Sequence, residues 1–241
     1  MTRTALVTGA AGGIGTSICT RLRADGFAVV GLDRAASPAA DESVEVDLGD
    51  LTALADVARE QCARHDVQVV VHNAAVQHLG GAGELAPEAW LETFRVNVLA
   101  ADVLVGAAQQ RLEAASGSVV VVSSVHARTT TRGIASYATS KSALEGWVRA
   151  AALDLAPRIR VNAVAPGAVD TPKLRDGFAR WGDQGASERL QVLLDRTPLA
   201  RLGATDDIAA AVAFLASPDA GFVTGVTLHV DGGVSAALSS E

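Results

Sequence analysis

Aromatic residues are scarce in this sequence of 241 residues, at 4% of the chain, and Tyr137 is its only tyrosine. Any chemistry that needs a phenol therefore has a single candidate here. Alanine, valine and glycine are abundant instead. Side chains of this kind are typical of buried parallel strands that pack closely beneath helices.

The sequence also lacks a long basic run and a long apolar run, and its formal net charge is −7. A chain without clustered lysine and arginine is poorly suited to neutralise a phosphate backbone, so we expect no nucleic-acid partner. A membrane-spanning helix needs about 18 unbroken apolar residues, and no stretch approaches that length. We therefore expect no membrane partner either.

Cysteine is rare, and Cys19 and Cys62 stand alone, without a CxxC motif or clustered histidines. This pattern indicates reduced core thiols rather than a disulfide or a metal site. The first three residues lead directly into a predicted strand and do not resemble a signal peptide. We expect a cytoplasmic protein without a metal.

Short apolar runs alternate with longer amphipathic stretches, a rhythm typical of repeated βαβ units. The predicted strands are Thr4–Thr8, Ala28–Asp33, Ser43–Asp47, Gln68–His72, Ser118–Ser123, Arg160–Ala165 and Thr227–Val230. Helices are predicted near residues 13–25, 50–65, 87–114, 136–156 and 205–216. Continuous runs such as Val119–Val122 indicate strands buried on both faces. The pattern predicts an α/β fold with a doubly wound, seven-stranded parallel sheet and helices on both faces.

No internal repeat or linker interrupts this rhythm, so residues 1–241 are predicted to form a single domain. The strand–helix alternation breaks between about residues 168 and 200, where there is helical potential but no predicted strand. Insertions of this kind in α/β enzymes are often lids or substrate loops. We expect this insertion, at about 168–200, to be a substrate lid.

A glycine-rich segment, Thr8–Gly15, joins the first predicted strand to the first predicted helix. Glycines there permit a tight turn, let backbone N–H groups approach a pyrophosphate and allow the helix to pack on the sheet. The helix N-terminus then directs its partial positive charge at the phosphates. We expect Gly9, Gly13, Ile14 and Gly15 to bind a dinucleotide in a Rossmann fold.

Asp33 ends the second predicted strand, where a carboxylate can accept hydrogen bonds from both hydroxyls of the adenosine ribose. A 2′-phosphate at that place would meet a like charge, so Asp33 favours NAD over NADP as the cofactor. Arg34 is a neighbouring cation that offsets part of this repulsion, and the strictness of the preference stays open.

Tyr137 and Lys141 are four residues apart on a predicted helix, a spacing that puts both side chains on one face. Lowering a tyrosine pKa from about 10 to near 7 takes about 4 kcal/mol. One ammonium about 4 Å away, at an effective dielectric of about 20, supplies roughly that much. The pair can therefore provide a general base near neutral pH.

These features belong to an ordered set of motifs that spans essentially the whole chain. Besides the glycine-rich segment, the set comprises Asp47-Leu48, Asn73-Ala74, Asn97, Ser124, Tyr137–Lys141, Asn162–Gly167, Val223–Gly225 and Val230–Gly233. The chain resembles the short-chain dehydrogenases/reductases in their short single-domain form. The resemblance implies a Rossmann-fold oxidoreductase that binds a nicotinamide dinucleotide.

The resemblance also implies catalytic roles. Tyr137 exchanges a proton with the substrate oxygen, and Lys141 lowers its pKa while hydrogen-bonding the nicotinamide ribose. Ser124 orients the substrate carbonyl, and it matches the family's serine better than Ser123 because it lies 13 residues before the tyrosine. Asn97 helps to hold a water in a proton relay.

Further cofactor contacts follow from the same resemblance. Asp47 and Leu48 flank the adenine, and Asn73 lies near the ribose on the adenosine side. Val169 and Thr171 contact the nicotinamide amide.

One motif departs from the family pattern, because the usual Asn-Asn-Ala-Gly reads His72-Asn73-Ala74-Ala75 here. Ala75 adds a methyl group near the cofactor path, which should be tolerated if its φ is negative. We expect His72 to be a hydrogen-bonded core histidine rather than a catalyst.

The substrate is less clearly indicated. Candidates for lining its pocket are Gln77, His78, His126, Arg128, Lys173, Arg175, Arg180 and Trp181. His126 is the preferred one, because it lies two residues past Ser124. If the polar candidates converge, we expect a sugar, polyol or hydroxy acid. If Leu174, Phe178 and Trp181 turn inward instead, a steroid-like or acyl substrate fits better.

The helix that carries Tyr137 predicts self-association. Leu144, Trp147, Val148 and Ala151 occupy more of its circumference than one core-facing stripe requires. Relatives usually pair this helix with its symmetry mate, so we expect a homotetramer, with a dimer as the alternative.

The sequence therefore predicts an NAD-dependent oxidoreductase that interconverts a secondary alcohol and a ketone on a polar small molecule. One alternative is an NADPH-dependent reductase of 3-oxoacyl type, which would use the same catalytic residues and against which Asp33 argues. Another is a non-catalytic dinucleotide-binding sensor, because fold alone does not establish function.

Overall fold

The computed structural model describes residues 2–179 and 182–237. Seven strands within them form one parallel sheet in the order β3-β2-β1-β4-β5-β6-β7. They are β1 (Arg3–Thr8), β2 (Ala28–Asp33), β3 (Glu42–Glu45), β4 (Asp66–His72), β5 (Ser118–Val122), β6 (Arg160–Pro166) and β7 (Thr227–Val230). The predicted seven-stranded parallel sheet is confirmed.

Helices cover both faces of this sheet. They are α1 (Gly13–Ala24), α2 (Leu51–Arg64), α3 (Pro87–Phe94), α4 (Ala100–Ala115), α5 (Ala135–Asp154), α6 (Pro172–Ala179), α7 (Gly182–Asp195) and α8 (Thr205–Ala216). Across the described residues, no helix combines the length and the apolar character needed to cross a membrane.

Two hydrophobic clusters lie on opposite faces of the sheet, because successive side chains of a strand point in opposite directions. On β4, Val70 packs in the cluster that contains Leu104 of α4 and Leu144 of α5. Val71, the next residue, packs with Ile18 of α1 in the other cluster. The sheet is thus buried on both sides, as its continuous valine runs predict.

The predicted helix over residues 87–114 is divided in the structure. It consists of α3, a π-helical turn at Arg95–Leu99, and α4. A π turn adds one residue to a single turn of helix, so it barely disturbs the apolar periodicity by which a helix is recognised. Asn97 lies at the centre of this turn.

The insertion after β6 forms two helices, α6 and α7, with no strand among its described residues. It follows the C-terminal end of β6. The chain order reverses between β1 and β4, and open parallel sheets bind ligands at such a crevice. The fold therefore brings the ends of β1, β4 and β5 and the insertion to one edge of the sheet.

Candidate active site

A cleft of about 2270 Å³ follows this edge of the sheet. Gly9 and Asp33 line one end of it, and Ser124, Tyr137 and Lys141 line the other. Pockets for drug-sized ligands measure about 300–1,000 Å³. The cleft has room for a dinucleotide and a substrate side by side.

Two glycines give the turn after β1 a shape that no other residue permits. Gly9 has a φ of +65°, and a Cβ there would lie 2.8 Å from Ala74 Cα. A Cβ on Gly15 would lie 2.0 Å from the carbonyl oxygen of Gly9. These approaches let α1 begin directly against the turn, which is the geometry a pyrophosphate site requires.

The N-terminus of α1 is suited to an anion. Gly12 precedes the helix without a side-chain cap, and the first turn holds no acidic residue. Gly13 faces the insertion, since a Cβ there would lie 3.3 Å from Thr171 Cγ2. Ile14 also lines the cleft. The residues present therefore fit the diphosphate of a nicotinamide dinucleotide.

Asp33 is fixed at the adenosine end by main-chain donors. Its Oδ2 accepts a hydrogen bond from Ala11 N at 3.0 Å, and its Oδ1 accepts one from Arg34 N at 2.7 Å. Arg34 lines the cleft as well, as do the exposed Asp47 and the buried Leu48. Val46 N donates to Asp33 O at 2.8 Å, so the loop that carries Asp47 and Leu48 lies beside the end of β2.

Asn73 braces the glycine-rich turn from β4. Its Nδ2 donates to the carbonyl oxygens of Thr8, at 3.3 Å, and Gly9, at 3.0 Å. Ala75 does not have a positive φ, so its methyl group is accommodated without backbone strain. Asn73 lines the cleft and also maintains the turn that shapes it.

Val169 and Thr171 connect the sheet to the insertion. Val169 forms an isolated bridge with Gly203 and is buried. The Thr171 hydroxyl accepts a hydrogen bond from Leu174 N, at 3.3 Å, in the first turn of α6. Both residues line the cleft opposite the N-terminus of α1.

The two serines after β5 have different hydrogen bonds. Ser124 Oγ accepts from the main-chain N–H of His126 at 3.2 Å, which leaves its own proton to be donated into the cleft. Ser123 Oγ donates to Glu145 Oε1 at 3.1 Å. This difference supports Ser124 as the catalytic serine.

Glu145 is a buried residue of the site that the sequence analysis did not identify. It also accepts a hydrogen bond from Arg128 Nε at 3.3 Å, although the Arg128 side chain is more than half exposed. The carboxylate thereby ties the loop that carries Ser124 to α5. One acidic residue among the apolar residues of a helix gives no sequence signal for this role.

Tyr137 and Lys141 lie on one face of α5, as their spacing predicts. Lys141 Nζ is 5.7 Å from the centroid of the Tyr137 ring. The Lys141 side chain is 1% exposed, and its Nζ donates to the carbonyl oxygen of Val122 at 2.7 Å. The end of β5 therefore fixes the position of the ammonium group.

Burial dominates the electrostatics of this pair, an effect that the sequence analysis did not include. Burial raises the pKa of Tyr137, and the Ser124 hydroxyl offsets part of that rise. Burial also lowers the pKa of Lys141 to about 7, assisted by the charge of Lys173. Loss of solvation disfavours the charged form of each group. Near neutral pH Lys141 therefore changes its charge while Tyr137 stays protonated.

Asn97 is fully buried, and its side chain is occupied by protein contacts. Its Oδ1 accepts from Val76 N at 2.8 Å, while Nδ2 donates to Val76 O at 3.0 Å and to Ser140 Oγ at 2.9 Å. The side chain thus joins the π-helical turn to α5 and to the loop after β4. Because both Nδ2 protons are used, a relay water could bind Asn97 only by donating a hydrogen bond to its side-chain or main-chain carbonyl oxygen.

The candidates for the substrate pocket fall into three groups. Gln77, His126 and Lys173 line the cleft, as does Leu174. His78 instead shares a hydrogen bond with Glu92, while Arg128 and Arg175 form ion pairs with Glu145 and Asp170. Arg180, Trp181 and the side chain of Phe178 lie outside the described residues. The His126 ring meets Tyr137 edge-on, with centroids 6.2 Å apart.

A dinucleotide cradle at one end of a cleft and a Ser-Tyr-Lys group at the other define a nicotinamide-dependent oxidoreductase. The sequence matches the family model described as Enoyl-(Acyl carrier protein) reductase over residues 9–235. The chain belongs to the short-chain dehydrogenase/reductase family, and it is an NAD(P)-dependent oxidoreductase that acts on alcohols or ketones.

Relatives differ in substrate. The chain is 34% identical to 3beta-hydroxysteroid dehydrogenase 1 of Eggerthella lenta, with 97% of this chain and 94% of that protein covered. It aligns with aldohexose dehydrogenase of Thermoplasma acidophilum at a TM-score of 0.94 and 29% identity, covering 100% of this chain and 97% of that one. The chain also aligns with a candidate NAD(P)-dependent gluconate 5-dehydrogenase of Beutenbergia cavernae, whose structure contains NADP at low occupancy. The TM-score is 0.88 and the identity 36%, and the alignment covers 98% of this chain and 97% of that one. Membership of the family therefore establishes the reaction class and leaves the substrate to be inferred.

The low pKa of Lys141 predicts a pH-dependent stability. An unfolded lysine titrates at about 10.4, and the buried amine titrates at about 7. Between these values the unfolded state binds more protons, so the free energy of unfolding rises with pH by at most about 1.4 kcal/mol per unit. Lys141→Met should abolish this rise.

Urea unfolding of both proteins at about pH 7 and pH 9 measures the effect. We expect the wild type to gain roughly 2 kcal/mol relative to the variant across this interval. A stability difference that does not change with pH would contradict the assignment. The interval stops below the titration of Tyr137, whose raised pKa would add a contribution of opposite sign.

Proposed function

We propose that this protein interconverts a secondary alcohol and a ketone with NAD as the hydride acceptor or donor, on a polar small molecule such as a sugar, polyol or hydroxy acid. The observation that carries the proposal is the position of Ser124, Tyr137 and Lys141 together in a cleft whose other end holds Asp33 and the glycine-rich turn. A pure binding protein gains nothing from that catalytic group, which argues against a sensor.

Ser124 orients the reacting oxygen. Because its Oγ already accepts from His126 N, its hydroxyl proton is left to be donated to a carbonyl oxygen in the cleft. The bond between Glu145 and the adjacent Ser123 holds the loop against α5. The substrate oxygen is thereby held beside the Tyr137 hydroxyl.

Tyr137 and Lys141 transfer the proton. In alcohol oxidation Tyr137 takes the hydroxyl proton of the substrate, and in carbonyl reduction it returns one. A nicotinamide held in its oxidised form by the cofactor end of the cleft would supply the hydride acceptor, and its positive charge would favour ionisation of the phenol. Lys141 stabilises the phenolate, and a water held near Asn97 continues the proton path toward solvent.

Asp33 supports NAD over NADP. Its carboxylate is held toward the adenosine end by two main-chain N–H donors, so it cannot turn away from a 2′-phosphate without losing them. Arg34 lines the same part of the cleft and favours the opposite choice. The NADPH-dependent 3-oxoacyl reductase is the second candidate because of Arg34, and because a structural relative carries NADP.

A polar substrate is supported by the side chains near Tyr137. Gln77, His126 and Lys173 line the cleft, as do Thr129 and Arg132. The His126 ring meets Tyr137 edge-on, and Lys173 is near enough for its charge to act on Lys141. Structural relatives are named for an aldohexose and for gluconate. We propose that α6 and α7 form the lid over this part of the cleft, with His126 contacting the substrate beside Ser124.

Tyr137→Phe is the direct test of the acid–base role. The variant keeps the ring and loses the proton, so we expect turnover to fall by at least about 100-fold, with NAD affinity unchanged. The assay follows the absorbance of NADH against sugars, polyols, hydroxy acids and cyclic alcohols. Thr139→Ala is the matched control, because Thr139 is exposed and its hydroxyl bonds only within α5. Turnover near the wild-type level in Tyr137→Phe would refute the mechanism.

Asp33→Ala tests the cofactor preference. Removing the charge should weaken the preference for NAD. We expect the value of kcat/KM with NAD, divided by its value with NADP, to fall by about tenfold, equivalent to about 1.4 kcal/mol. Asp56→Ala removes a similar charge from the exposed surface of α2, far from the cleft, and serves as the control. An unchanged ratio in Asp33→Ala would show that another group discriminates at the ribose.

We propose a homotetramer. Of the four residues that suggested it, Leu144, Val148 and Ala151 are buried in the core, so they supply no free surface. The stronger support is a groove at α3 lined by Leu85, Pro87, Trp90, Leu91 and Phe94. Multi-angle light scattering should give four times the chain mass, and a monomer at micromolar concentration would refute the proposal.

A further inference from the structure

Glu145 is a buried acidic residue that takes no part in the proposed chemical steps. It is 3% exposed and lies one helical turn after Lys141 on α5. Among the described residues, those that line the cleft include neither Glu145 nor Arg128. Burial of a carboxylate costs free energy unless other groups bind it, so the position of Glu145 must be explained by its partners.

The two oxygens of this carboxylate bind opposite ends of one loop. Oε1 accepts a hydrogen bond from Ser123 Oγ at 3.1 Å, and Oε2 accepts one from Arg128 Nε at 3.3 Å. Between these two residues lie Ser124 and His126, the second of them on the 3-10 turn Val125–Ala127. The carboxylate therefore closes a loop that carries the catalytic serine and the proposed substrate contact.

The two ends of the loop, residues 123 and 128, are held unequally. Ser123 N donates to the carbonyl oxygen of Val164 on β6 at 2.7 Å, so the sheet fixes the start of the loop. The Arg128 side chain is 58% exposed, and its only partner among the described residues is Glu145. Glu145 therefore links the far end of the loop to a residue whose position the sheet fixes.

A separate contact keeps the loop on α5 without Glu145. Ser142 Oγ donates to the carbonyl oxygen of Ala127 at 2.6 Å. The ion pair between Arg128 and Glu145 contributes little to the free energy of folding, because the guanidinium is more than half exposed. Loss of the ion pair should therefore change the geometry of the loop and leave the protein folded.

We propose that Glu145 and Arg128 are positioning residues of the active site, which close the loop so that Ser124 and His126 stay in place beside Tyr137. The His126 ring meets the Tyr137 ring edge-on, so a shift of the loop changes the space beside the phenol. A displacement of about 1 Å can slow a reaction about a hundredfold. This inference rests on the proposed function for its effect on turnover, and closure of the loop does not depend on that function.

Two substitutions remove the same contact from opposite sides. In Glu145→Gln one oxygen can still accept from Ser123, while N–H groups replace the oxygen that accepts from Arg128. Arg128→Met removes the guanidinium and retains an unbranched apolar side chain. We expect each variant to lower kcat/KM by about tenfold, because the loop is displaced. The melting temperature and the affinity for NAD should stay close to those of the wild type.

The double variant shows whether the two residues act through one contact. Effects of residues that share an interaction do not add, so kcat/KM should stay about tenfold below the wild type in Glu145→Gln/Arg128→Met, where independent effects would give about a hundredfold. Arg128→Lys supplies another cation for the carboxylate and should stay within about threefold of the wild type. Asp154→Asn is the matched control, because Asp154 is exposed and lies on the same helix, away from the loop.

Three results would overturn the positioning role. They are additive losses in the double variant, wild-type kcat/KM in either single variant, and a melting temperature so low that the variant is unfolded during the assay. The last result would show that the contact maintains the fold.

Hydrogen exchange tests the loop without turnover. His126 N donates to Ser124 Oγ at 3.2 Å, and Ala127 N donates to Ser124 O at 3.0 Å, so these two amides report on opening of the loop. We expect them to exchange about tenfold faster in Glu145→Gln than in the wild type, with α5 unchanged. Equal rates in the two proteins would overturn the inference. If the rates differed as expected but the protein oxidised no alcohol, the proposed function would fail and closure of the loop by Glu145 would stand.

Discussion

The Thr8 hydroxyl joins the two halves of the cleft at the point where the strand order reverses. It accepts from two consecutive main-chain N–H groups after β4 and donates to His72, while Asn73 returns two hydrogen bonds to the turn after β1. The glycine-rich turn and the loop leading to the π-helical turn are thereby held in one geometry. Without these hydrogen bonds, the glycine-rich turn and the catalytic end of the cleft would no longer be held at a fixed distance from each other.

The second constraint is the burial of one lysine. Lys141 is 1% exposed, and its pKa of about 7 means that near neutral pH a small change in its surroundings changes its charge. An amine that is easily neutralised cannot by itself hold Tyr137 as a phenolate. In the proposed mechanism, ionisation of Tyr137 therefore needs a further positive charge, which a bound oxidised cofactor would supply. Catalysis would then be coupled to occupancy of the cofactor end of the cleft.

The sheet and the cofactor end could be predicted from the sequence because their signals are local. Valine runs mark the strands, and the glycines and Asp33 stand at fixed distances from their ends. The π-helical turn at Arg95–Leu99 could not be predicted, because its one-residue excess leaves the apolar pattern almost unchanged. The contact of Glu145 with Ser123 joins residues 22 positions apart and depends on how α5 packs. The effect of burial on the pKa values of Tyr137 and Lys141 could not be predicted, since a spacing of four residues indicates proximity but not the solvation that both side chains lose.

The same distinction explains why the substrate is harder to infer than the chemistry. Ser124, Tyr137 and Lys141 are held by main-chain groups of β5 and by α5, elements whose geometry the sheet imposes. The pocket residues come from loops and from α6 and α7, whose contacts with the rest of the fold are few. Such segments can change in sequence without disturbing the sheet, because they contribute little to its core. Structural relatives named for different substrates nevertheless align with this chain over nearly their whole length. We therefore propose that substrate choice depends on the few side chains that the insertion and the loop after Ser124 bring to the cleft, among them His126 and Lys173.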